Sequence, residues 1–138
     1  MGRVINTQSA GKERTRLTKA TVIAIRELMR QKDINDQTKD LAAFIALSLD
    51  AISKTIEPSL IAWEKRGYWV KADRFRLEWS WSEKLGGQMR QAALEEDWPT
   101  VAKTVAQVAE KLGNVKVSER HRMGKPWVGA WNKMHEEA

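Results

Sequence analysis

The stretch LAAFIALSLDAISKTIEPSLIAW, residues 41–63, decides the fold. Leu41, Ile45, Leu49, Ile52, Ile56, Leu60 and Trp63 recur in it at spacings of 4, 4, 3, 4, 4 and 3. That is the period of a helix with one apolar stripe, sustained for about six turns at roughly 3.6 residues each. Pro58 interrupts the run. Proline removes one backbone hydrogen bond and costs about 3 kcal/mol inside a helix. The stripe nevertheless keeps its phase on both sides, so the spacing predicts a kinked helix that starts near Asp36, continues through Pro58 and stops at Gly67.

Working outward, the same period appears on either side. Leu17, Ala20, Thr21, Ala24, Ile25 and Leu28 predict a helix from Lys12 to about Lys32, preceded by a polar arm over residues 1–11. Tyr68 to Glu95 reads as a third helix with two apolar faces. Tyr68, Ala72, Phe75, Trp79, Gly86 and Met89 lie on one side, and Val70, Leu77, Trp81, Leu85 and Ala92 almost opposite. A helix apolar on two sides must be covered on both. Gly86-Gly87 inside it permits close helix approach or marks a break. Asp97 is placed to cap a fourth helix, with Pro99 in the first turn where its missing N–H is harmless. Gly113-Asn114 ends that helix. Val115–Lys125 reads as irregular, strand signals being confined to Val115-Lys116-Val117, and Pro126 as the opening of a short last helix. The expectation is one all-α domain over 12–138: a bundle of four main helices, antiparallel between neighbours, plus a short C-terminal helix and a basic N-terminal arm.

The composition excludes several chemistries. There are no cysteines and two histidines, which argues against disulfides, thiolate metal sites and a His-rich metal centre. No Glu-x-x-His pair or Gly-x-Ser-x-Gly elbow occurs. Ser9-Ala10-Gly11-Lys12 lacks the upstream glycine and following Ser or Thr of a phosphate-binding loop. The expectation is a non-enzyme with no cofactor and no metal. No apolar run approaches a membrane span and the first residues lack an apolar signal core, so a cytoplasmic protein without membrane contact is expected.

Charge supplies the functional expectation. The net charge is +6, and residues 1–34 carry eight basic against three acidic groups. On the first helix Lys12, Arg16, Lys19, Arg26 and Arg30 fall within about 80° of one another, at roughly 100° per residue. Glu13 and Glu27 lie outside that sector, and Ile23 sits in its middle. The ladder spans about 27 Å, long enough for several phosphates of a nucleic-acid strand. Arg3 and Arg14 add to it, as do Arg120, Arg122 and Lys125 beside Lys116 in the segment before Pro126. Each set reads more readily as a solvated surface. The dense aromatic and basic run from Trp63 to Trp81 offers stacking platforms, but its helical phase suits core better. A second expectation is a helical interaction subunit, paired with its own copy or a larger assembly through Leu77, Trp81 and Leu85.

The start Met1-Gly2-Arg3-Val4-Ile5-Asn6 with Gly11-Lys12, the stretch Trp63-Glu64-Lys65-Arg66-Gly67-Tyr68-Trp69-Val70-Lys71-Ala72-Asp73-Arg74-Phe75, and Pro126-Trp127 together resemble a small uncharacterised bacterial all-helical family. The resemblance implies a stand-alone bacterial protein. It transfers no site, substrate or cofactor.

Overall fold

The computed structural model describes residues 7–138, with side chains from Ser9 onward, so Arg3 lies outside the described residues. The chain is all-α: α1 (Thr7–Met29), α2 (Asp36–Lys54), α3 (Ile56–Lys65), α4 (Trp69–Leu94), α5 (Trp98–Lys111) and α6 (Ala130–Glu136). Only Thr55 separates α2 from α3. Taken together they form one bent helix, which gives four main helices and a short C-terminal one. Among the described residues there is no strand, including at Val115-Lys116-Val117.

α2 is the centre. Leu41, Ala42, Ala43, Ile45, Leu49 and Ile52 are fully buried, against α1 on one side, α4 on another and α6 beyond. The apolar seam thus does what its spacing predicted, but the break falls at Thr55 and not at the proline. The Thr55 N–H and hydroxyl both donate to the Ile52 carbonyl, which closes the last turn of α2. Pro58 then stands in the first turn of α3, where no N–H is required of it.

Three other boundaries differ from expectation. α1 begins at Thr7, five residues before Lys12, because small polar residues and one glycine do not prevent a packed helix from extending. It ends at Met29 in a tightened turn, where the Arg30 and Gln31 N–H groups reach carbonyls three residues back. α6 starts at Ala130 and not at Pro126. Gly129 holds a left-handed φ of 84°, and the Gly129 and Trp131 N–H groups donate to the Asp40 carboxylate at 3.1 and 3.0 Å. Asp40 therefore anchors the C-terminal helix to the start of α2.

α4 runs unbroken through Gly86-Gly87. A side chain at Gly86 would stand 3.1 Å from the Leu49 Cβ, so this glycine lets α4 approach α2, whereas Gly87 faces open space. Asp97 caps α5 as expected, accepting from the Thr100 N–H and hydroxyl. Among the described residues every buried side-chain nitrogen and oxygen has a partner. Thr21, Ser82 and Thr104 manage this by donating to carbonyls three or four residues back. No described helix is long and apolar enough to cross a membrane.

Candidate nucleic-acid interface

The basic ladder of α1 is divided in two. Lys12, Arg16 and Lys19, in the first half, are exposed. Arg16 is bound by Glu13 through two short contacts, at 2.6 and 3.1 Å. That hydrogen bond pulls the Glu13 carboxyl below its usual range and raises the Arg16 guanidinium. Lys12 and Lys19 have no ion-pair partner among the described residues.

In the second half the cations of the ladder are engaged by other groups. Ile23, in the middle of the sector, is 1% exposed and belongs to the core. Arg26 donates to the Val117 carbonyl at 3.0 Å and faces the Glu119 carboxylate at 3.8 Å. Arg30 pairs with Glu27 at 2.8 Å and with Glu119 at 3.4 Å. The segment after α5 therefore crosses α1 on its basic side, and Val115, Val117 and Met123 pack against the core as it does so. Arg26 and Arg30 do not extend a free ladder as expected; they fasten this strap.

The strap carries charges of its own. Lys116, Arg120, Arg122 and Lys125 are exposed, and among the described residues none is ion-paired. Its one acid, Glu119, is taken up by Arg26 and Arg30. The strap, a segment about a hundred residues further on, is thus fastened to the second half of the same helix face that carries Lys12, Arg16 and Lys19 in its first half. The strap residues were visible as a basic run, but the hydrogen bond from Arg26 to a backbone carbonyl leaves no trace in a sequence.

Arg14 is elsewhere. Two residues after Lys12, it lies on the opposite side of α1. Its guanidinium is 4.7 Å from the centre of the Phe75 ring and 5.6 Å from that of Trp79, and it donates to the Thr55 carbonyl and hydroxyl, both at 3.2 Å. Burial pushes its pKa down, while the Glu78 charge acts in the other direction. Arg14 therefore pins α1 to the α2–α3 bend and to α4, and is not available to a phosphate.

The second apolar face of α4 splits likewise. Leu85 is buried in the core and cannot serve as an interface residue. Trp81 is half-buried and stacked on Trp79, with ring centres 6.0 Å apart. Leu77 is 76% exposed, as are Val70 and Trp69 to a similar degree. Sequence reasoning assigned most of the Trp63–Trp81 run to core; the structure leaves its outer side in solvent. Among the described residues no group of His, Cys, Asp or Glu is arranged to hold a metal ion. Compared with known protein families, curated proteins and solved structures, the chain matches none.

Proposed function

We propose that this protein binds nucleic acid through phosphate contacts, without base-specific readout, on the side of α1 crossed by the strap. One observation carries this. Lys12, Lys19, Lys116, Arg120, Arg122 and Lys125 are exposed and unpaired among the described residues, while the nearby acids Glu13 and Glu119 are each held by arginines. Unneutralised exposed cations attract a polyanion and release its counterions on contact. The strap lies along the second half of α1 and holds Arg26 and Arg30, and the contacts in this reading are to backbone. A cytoplasmic location suits this role.

Four to six phosphate contacts predict that affinity for duplex DNA or structured RNA falls by about two to three orders of magnitude between roughly 50 and 200 mM salt. Fluorescence anisotropy with labelled duplex and hairpin probes measures this. Folded protein that binds neither probe at the lower salt would overturn the proposal.

The exposed Val70 and Leu77 favour a second reading, an interaction subunit that docks through the first half of α4. Size-exclusion chromatography and cross-linking distinguish it. Self-association abolished by Leu77→Asp supports it, and a monomer at all concentrations removes self-pairing.

A further inference from the structure

The corner between α3 and α4 carries a set of groups that the strap surface leaves unused. Gly67 turns the chain with a φ of 78°, and the Tyr68 N–H returns to the Trp63 carbonyl at 2.9 Å. This turn presents Tyr68 and Trp69 at the head of α4, 53% and 62% exposed. Behind them Trp63 and Phe75 meet edge to face, 4.8 Å apart, and the Lys71 ammonium lies 4.7 Å from the Trp63 ring centre. These residues line an open hollow of about 890 Å³ on the surface.

Charge completes the picture. Lys71 and Arg74 line the hollow, and Lys65 and Arg66 immediately precede the Gly67 turn; all four are exposed, and none is ion-paired among the described residues. Two of the local acids are already engaged, since Arg76 binds both Glu64 and Asp73 at 2.9 Å. Glu78 is the remaining acid on the wall. The result is a pair of exposed aromatic rings beside exposed cations.

We infer that this corner takes single-stranded nucleic acid, with bases stacked on Trp69 and Tyr68 and phosphates held by Lys65, Arg66, Lys71 and Arg74. The ligand class rests on the nucleic-acid reading above; the strandedness rests on the corner alone. In a duplex the faces of the bases are covered by their neighbours, so exposed aromatic rings gain nothing from it. In a single strand every base offers a face, and stacking is tolerant of sequence. A purely apolar partner would leave four cations without counter-charge.

The test uses labelled oligo(dT) of about 12 nucleotides, within the usual span of such sites, the matching duplex, and vesicles containing an anionic phospholipid. Each is titrated against the wild-type protein, Trp69→Ala, Tyr68→Ala and, as an exposed control, Val128→Ala. Circular dichroism verifies the fold, which half-exposed rings do not support. Binding of oligo(dT) should weaken about fivefold to a hundredfold in Trp69→Ala, and less in Tyr68→Ala. Duplex binding and the Val128→Ala control should not change. Oligo(dT) binding that ignores both ring substitutions overturns the inference. Duplex binding with no affinity for oligo(dT) overturns it too, while leaving the strap proposal standing. If vesicles alone respond to Trp69→Ala, the corner is a lipid-binding surface and the inference falls. If neither nucleic acid binds, both proposals fall.

Discussion

Both halves of α4 carry apolar residues at helical spacing, yet they are covered to different extents. From Ser82 to Ala93 the helix is sandwiched, with Leu85, Gly86, Met89, Ala92 and Ala93 buried between α2 and α5. From Trp69 to Leu77 it is covered on one side only, by α3 and by Arg14 from α1, and its outer side stays in water. An apolar face says that a helix can be covered there. Whether a neighbour is long enough to reach it is a property of the whole fold. Where none reaches, the leftover surface becomes available for binding.

This contrast is most directly broken by truncating one residue from each half. Met89→Ala should destabilise by about 2–5 kcal/mol, because it empties a fully buried site. Leu77→Ala should stay within about 0.5 kcal/mol, as an exposed position does. Denaturant unfolding of the two variants checks both, and equal losses would mean that the first half of α4 is also packed.

Arg14 is a main attachment of that first half. Arg14→Ala should cost about 2 kcal/mol, from lost ring contacts and from hydrogen bonds to Thr55. Arg14→Lys should recover only part, since an ammonium cannot cover two rings and bond Thr55 together. Hydrogen exchange should show the loosening from Trp69 to Trp79 and not from Leu85 onward.

The adjacent glycines sharpen the boundary further. Gly87→Ala should stabilise by about 1 kcal/mol, the ordinary helix gain at an open position. Gly86→Ala gains the same propensity but pushes against the Leu49 Cβ, which cannot rotate away, at a cost of about 1–3 kcal/mol. Thermal melts of the pair should therefore separate with Gly86→Ala the lower.

The smallest effect concerns the analogous division of α1, into an open and a strapped half. Glu13 has its carboxyl held below the ordinary 4.5 by the Arg16 hydrogen bond. Its stabilising contribution is thus present above that value and lost as pH falls through the lower folded value. Both groups are about half exposed, so the contribution is a few tenths of a kcal/mol. Glu13→Gln should flatten that small acid loss in a pH-dependent melt, and by releasing Arg16 should raise duplex affinity about twofold at low salt.

Much of the fold was legible because it is local. The seam from Leu41 to Trp63, the Asp97 cap with Pro99 after it, and the glycine pair in α4 are all stated by residues a few positions apart. What was illegible joins distant segments. Asp40 holding the Gly129 and Trp131 N–H groups, Arg26 holding the Val117 carbonyl, and Arg14 lying on Phe75 each depend on contacts across 60 to 90 positions or so. The candidate site shows the same division. The cations of α1 and of the strap were visible as separate basic runs. That the strap would fasten to Arg26 and Arg30 and add its own four charges was decided by packing. The exposure of Trp69 was hidden for the same reason, since a helical aromatic phase is shared by core residues and by an uncovered face.

The strap surface is tested most directly by the slope of log affinity against log salt on duplex DNA. The comparison is between the wild-type protein and a fourfold variant, Lys12→Ala, Lys19→Ala, Arg120→Ala and Arg122→Ala. If these cations each meet a phosphate, the slope should fall by about three to four units, one per contact removed. An unchanged slope in a folded variant would mean that these cations do not meet the phosphates of duplex DNA.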